Sequence, residues 1–182
     1  MKAPFLFVLI CCIMFSCKSS KTLIDDAHPI HALISSKNFK FSAKSASPMA
    51  TQSLTAIANS GLLPPGNSVS RIDLNGNGYF LKVFNDSVSA NLPYYGERQF
   101  GGSYGIADGV EFNGVPSDYE QIFSEDKQKY IINFQISNKT DRYTITMHIF
   151  PNKSCLVNVN TTNRNTIQYN GNVESLHSEN ID

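Results

Sequence analysis

Tyr94, Tyr95, Phe100 and Tyr104 bring aromatic rings into one short stretch, interleaved with Pro93, Gly96, Gly101, Gly102 and Gly105. Flat rings that carry a hydroxyl stack on sugar faces or grip peptide side chains, and bare glycine backbone lets a ligand approach closely. Arg98 adds a planar fork suited to a ligand carboxylate. Glu97 lies in the same stretch, and Asp108, Glu111 and Asp118 follow downstream. Carboxylates that a fold brings together are the tools of acid–base hydrolysis. Two chemistries therefore compete for this segment. One is non-covalent binding of a glycan, peptide or protein by Tyr94, Tyr95, Arg98, Phe100 and Tyr104. The alternative is an envelope-polymer hydrolase that uses acids of the Glu97–Asp118 region. A third reading has no ligand: Leu92, Pro93 and one tyrosine plug the end of the core, and the protein is a structural or assembly subunit.

The remaining chemistry-bearing residues form weaker patterns. His28 and His31 suggest a metal pair, but zinc sites need three or four ligands and no Cys or acidic cluster stands at matching spacing. A solvated helix end is the expectation, with no metal and no cofactor. His148 alternates with Thr144 and Thr146 on the wet side of a strand, and no nucleophile elbow surrounds any serine. Arg164 lies between Asn163 and Asn165 in a turn and is expected to pair with an internal acid such as Asp118. Cys155 alternates with Val157 and Val159, which predicts a buried hydrophobe. Catalytic residues are assigned to none of these positions.

The N-terminus sets the compartment. Lys2 precedes an apolar run from Phe5 to Phe15, about 11 residues, followed by Ser16-Cys17 and polar Lys18-Ser19-Ser20-Lys21. A helix that crosses a bilayer takes about 20 residues, so the run reads as a signal peptide. Met14-Phe15-Ser16-Cys17 resembles a bacterial lipobox, which makes Cys17 the expected lipidation site and the anchor to the membrane. With Cys11, Cys12 and Cys17 in the leader, Cys155 is left alone in the folded part, and no intrachain disulfide is possible there. Formal net charge is zero and the charges are interspersed, so no nucleic-acid partner is expected.

These residues must be positioned by a chain of 182, enough for one domain after a leader. Ile30, Leu33 and Ile34 fall at helical spacing behind Pro29, predicting a short N-terminal helix. Leu54, Ile57 and Ala58 suggest another helix, stopped by Gly61. From Lys37 the period changes to two: Phe39, Phe41 and Ala43, later Tyr130 to Ile136, Tyr143 to Ile149, and Cys155 to Val159. Asn75-Gly76-Asn77-Gly78 predicts a hairpin between the strands on either side, Asn85-Asp86 and Asn113-Gly114 further turns, and Asn170-Gly171 the end of the last strand. The fold class is mainly β: an antiparallel meander forming a sandwich or a strongly curved, barrel-like sheet, with one short N-terminal helix. The predicted organisation is a signal peptide over 1–17, a tether and short helix over 18–36, one β-rich domain over 37–173 and a polar tail over 174–182.

The order of Leu92-Pro93-Tyr94-Tyr95-Gly96, Gly109-Val110-Glu111-Phe112, Asp118-Tyr119, Asn163-Arg164, Ile167, Tyr169 and Gly171 resembles the domain-of-unknown-function 4251 family of Bacteroides-type envelope lipoproteins. The likeness covers roughly Ile34 to Val173. It implies a small, mostly β lipoprotein domain behind a lipobox, and no activity, cofactor or catalytic residue. In that lineage, surface export goes with acids directly after the lipidated Cys. Lys18-Ser19-Ser20-Lys21 has none, which favours an outer-membrane lipoprotein that faces the periplasm. Asp86-Ser87-Val88 is similar to the lineage's O-glycosylation sequon, which makes Ser87 a candidate modification site.

Overall fold

The period-two segments become strands in the computed structural model, which describes residues 23–61, 63, 65–96, 109–138 and 141–176. The leader with Cys17, then Arg98, Phe100 and Tyr104, and the tail from 177 onward lie outside the described residues. The elements are α1 (Pro29–Ser35), β1 (Asn38–Pro48), α2 (Gln52–Asn59), β2 (Ile72–Asp73), β3 (Phe80–Phe84), β4 (Ser87–Leu92), β5 (Val110–Gly114), β6 (Ser117–Ser124), β7 (Lys129–Ser137), β8 (Arg142–Ile149), β9 (Ser154–Thr161) and β10 (Ile167–Ser175).

All strands join one sheet of order β5-β4-β3-β1-β10-β9-β8-β7-β6, with β2 beside β3 on the same edge of β1. The two edge strands are consecutive in the chain, linked only by Val115 and Pro116. Eight strand spacings laid flat would separate the edges by roughly 40 Å, whereas the link between Gly114 and Ser117 reaches about 11 Å. The sheet must therefore curl, and it forms a half-barrel rather than two stacked layers. Phe112 of β5 meets Phe134 and Tyr143 across the seam at ring-centroid distances of 6.3 and 5.5 Å.

Residues facing inward from every strand fill the curl, among them Phe39, Phe41, Leu81, Leu92, Ile132, Ile145, Val157 and Tyr169, all buried. At one end α1 covers the opening with Ile30 and Ile34, both buried. His28 caps this helix by accepting from the Ile30 amide at 3.2 Å. His31 does not face solvent as a helix end would; its Nδ1 lies 2.8 Å from the Tyr130 hydroxyl and its ring packs edge-on against Phe123. The weaker helical pattern also forms, as α2, with Thr51 capping Leu54 and Gly61 following at φ +72°.

Three turn expectations are corrected. Asn75 to Gly78 does not join a hairpin: β2 and β3 both pair antiparallel with β1, Ala46↔Ile72 and then Ser42↔Phe80. With Gly76 and Gly78 both at positive φ, the chain leaves the sheet and re-enters in the same direction. Asn113-Gly114 does not fold β5 onto β6, because those strands are the two sheet edges. Asn170-Gly171 lies inside β10, which runs on to Ser175, past the Glu174 boundary predicted for the tail, because Glu174 and Ser175 still pair with Lys40 and Phe39.

Gly171 serves a close approach instead. A Cβ there would stand 2.0 Å from the Ser42 carbonyl oxygen and 2.7 Å from the Phe41 ring, where β1 slips register between Ala43 and Ser45. Because the obstructing atom is backbone, Gly171→Ala is expected to destabilise the fold by about 1–3 kcal/mol in urea unfolding. An unchanged midpoint would contradict this packing.

Candidate functional site

The end of the half-barrel opposite α1 is built from three connections: the segment after β4, the β7–β8 turn and the β9–β10 link. In the register of β8 on β9, Tyr143 opposes Thr161. Continuing that register outward sets Asp141 beside Asn163 and Arg164. There the Arg164 Nη2 donates to Asp141 Oδ2 at 2.7 Å, with both side chains almost wholly buried, 2% and 0% exposed. Asn163 Nδ2 donates to the other Asp141 oxygen at 3.3 Å. Arg164 Nη1 reaches the Gly109 carbonyl at 3.2 Å, and the Arg164 amide donates to Thr161 Oγ1 at 3.0 Å.

Arg164 thus has the internal acid expected of it, but the acid is Asp141, not Asp118. Asp118 is exposed at φ +53° on β6, where the pairing with β7 slips register between Ser117 and Glu120. Asp141 passes for a simple turn residue when the Asn138–Asp141 stretch is read alone. The signal that finds it is the strand register, which sets this turn opposite the Asn163-Arg164 pair.

The network continues into the rim. The Tyr94 ring centroid is 5.1 Å from the Arg164 guanidinium carbon, and the Tyr94 hydroxyl donates to the Asn165 carbonyl at 2.9 Å. Tyr169, buried in β10, donates its hydroxyl to the Pro93 carbonyl at 2.7 Å. Asn138 Nδ2 donates to the Glu111 carbonyl at 2.9 Å and to the Tyr143 hydroxyl at 3.1 Å, so one amide spans the seam from β7 to β5. Tyr94 is therefore bound into the fold and helps to hold the rim.

Tyr95, the next residue, lines a cavity of about 660 Å³ between the rim, α2 and the connector that follows it. Leu54, Ile57, Leu63 and Ile72 give it apolar walls, with Asn67 and Asn77 among its polar groups. Burial, then the nearby Tyr79, push the Tyr95 hydroxyl above its ordinary value. It remains a neutral donor at physiological pH.

The acids proposed for hydrolysis are dispersed or outside the described residues. Glu111 and Asp118 are exposed on β5 and β6, and Glu97 and Asp108 fall among the undescribed residues. His148 sits on the outer wall with its Nδ1 3.2 Å from Lys129 Nζ; burial, and then the Lys129 and Lys127 charges, hold it below its ordinary value. Cys155 is 2% exposed, and burial pushes its thiol up, so it stays protonated. Ser87 follows the Asn85-Asp86 turn, half-buried, while Asp86 is exposed and lies 3.6 Å from Lys37 Nζ. Among the described residues no group of three or more His, Cys, Asp or Glu side chains could hold a metal ion.

No curated protein matches the chain. A family model described as a domain of unknown function, DUF4251, matches residues 25–173, a span that includes both helices, the rim and all but the last two residues of β10. The motifs around Leu92-Pro93-Tyr94-Tyr95-Gly96 and Asn163-Arg164 meet in space at the Arg164–Asp141 pair, and by this match the chain belongs to the DUF4251 family.

Proposed function

We propose that this protein is a lipid-anchored, non-enzymatic binding module of the cell envelope that takes a short peptide or glycan into the cavity beside Tyr95. The observation that carries the reading is that cavity, about 660 Å³, with apolar walls and the Asn67 and Asn77 amides, the Asp73 carboxylate and Tyr95 among its polar groups. Pockets for small ligands have this size and this mixture, with polar groups setting orientation. Tyr95 supplies a ring and a neutral hydroxyl at its edge. Tyr94 contributes by positioning, since its ring and hydroxyl are engaged with Arg164 and Asn165. Arg98, Phe100 and Tyr104 belong to the same reading as further ligand contacts from the segment that continues the rim.

Cys17 is the proposed lipid attachment point, on an outer-membrane protein that faces the periplasm, and Ser87 is a proposed site for an attached glycan. The short leader, the lipobox-like Met14-Phe15-Ser16-Cys17 and the polar tether behind it support the anchor. Cys17→Ala is expected to move the protein from the membrane fraction to the soluble fraction of cells. Retention in the membrane would contradict the anchor.

A thermal-shift screen with muropeptides, plant and host glycans and short peptides tests the cavity. A ligand of the native state at a hundred times its Kd raises stability by about 2.7 kcal/mol. At least one class is expected to raise the melting temperature of the wild type and to have no effect on Tyr95→Ala, which stays folded. Tyr94→Ala is expected to lose about 2–4 kcal/mol of stability, because its ring and hydroxyl brace the rim. A shift that survives in Tyr95→Ala, or release of hydrolysis products from any of these compounds, would contradict the proposal.

A further inference from the structure

On the outer wall, β1 bulges at Lys44. The register passes from Ala43↔Gly171 to Ser45↔Asn170, so Lys44 has no partner on β10 and its side chain is exposed. Lys44 lines a concavity of about 350 Å³ together with Arg71, Ser154, Asn170 and Asn172, with Phe150 and Leu156 among its apolar groups. No carboxylate lines this hollow. The acids closest in the fold are engaged elsewhere. Glu174, two residues along β10 from Asn172, accepts from Ser42 Oγ at 3.2 Å and lies 3.7 Å from Lys40 Nζ. Asp73 accepts from the Asn75 amide at 3.1 Å and from Asn75 Nδ2 at 2.6 Å. Among the described residues neither Lys44 nor Arg71 has an ion-pair partner.

Two cations that converge on a hollow with no counter-charge favour an anion, and the guanidinium fork of Arg71 matches the two oxygens of a carboxylate or phosphate. The surface that leads away from the hollow selects what carries the anion. From Asn172 and Asn170 the outward positions continue to Gln168 on β10, to Leu156, Asn158 and Asn160 on β9, and to Thr144 and Thr146 on β8. In the sheet register Gln168 opposes Asn158, Thr146 opposes Asn158 and Thr144 opposes Asn160. Gln168 Nε2 donates to Asn158 Oδ1 at 2.8 Å and Thr166 donates to Asn160 Oδ1, which hold these amides in a fixed array. An uncharged face of amides and hydroxyls, with Leu156 as its apolar member, suits a saccharide, whose hydroxyls both donate and accept and whose C–H groups pack on apolar side chains. We infer that the outer face of β1, β10 and β9 binds an acidic saccharide, with its carboxylate between Lys44 and Arg71 and neighbouring sugar hydroxyls on the amides of Asn170 and Asn172.

Calorimetric titration of the purified protein with tetragalacturonate, its methyl ester and inorganic phosphate tests the site. The free acid is expected to bind and the ester to bind about tenfold more weakly or worse, because it keeps the sugar and loses the charge. The double variant Lys44→Gln/Arg71→Gln is expected to lose at least about tenfold in affinity for the acid, with its melting temperature unchanged to within about 2 °C. Raising the salt concentration weakens the wild-type interaction, since exposed charges are screened. Equal binding of acid and ester, full affinity in the double variant, phosphate binding as tight as the saccharide, or no binding of the acid would each overturn the inference.

Discussion

The buried ion pair of Arg164 and Asp141 ties together the connections at the end of the sheet opposite α1. Placing two charges out of water is unfavourable by several kcal/mol for each ion. Further hydrogen bonds, from Asn163 to Asp141 and from Arg164 to the Gly109 carbonyl, offset part of that cost. Those partners come from separate connections, so the pair links the segment before β5, the β7–β8 turn and the β9–β10 link. Tyr94 lies against the guanidinium and carries the link to the segment after β4. A buried pair of this kind adds little net stability over an apolar substitute, but it fixes one arrangement of the loops around it.

Such an anchor is needed because of the topology. A meander whose first and last strands pair, and whose two edges are joined by Val115 and Pro116, has to curl. The curl leaves a seam between β5 and β6 where side chains, not a strand ladder, make the contact: Phe112 with Phe134 and Tyr143 inside, and Asn138 to the Glu111 carbonyl at the end. The two ends of the half-barrel are then treated differently. At one, α1 lays Ile30 and Ile34 onto the core and closes it. At the other, the braced rim borders the cavity beside Tyr95.

Much of this was legible in the residues. Period-two alternation from Tyr130 to Val159 is decided by burial on one face, and such strands formed where the pattern placed them. The helical stripe of Ile30 and Ile34 was legible for the same reason. The choice between sandwich and curled sheet was not, because it rests on which strands pair at long range. Asn75 to Gly78 and Asn170-Gly171 misled because glycine marks any special backbone need, and only the neighbouring strand tells a turn from an excursion or a close crossing. Asp141 was hidden inside a turn, since its partner lies 23 residues away and only the β8–β9 register brings them together. The rim aromatics were visible as a group, but their division of labour was not: Tyr94 faces Arg164, while Tyr95 faces the cavity.

The most direct measurement is a double-mutant cycle between Arg164→Met and Asp141→Asn, read by urea unfolding. If the pair anchors the rim, each single variant loses about 3–5 kcal/mol because the other charge is left buried alone. The double variant then loses less than the sum by roughly 2 kcal/mol or more. Additive losses, or single variants within about 1 kcal/mol of the wild type, would contradict the pair as the constraint on which this end of the fold depends.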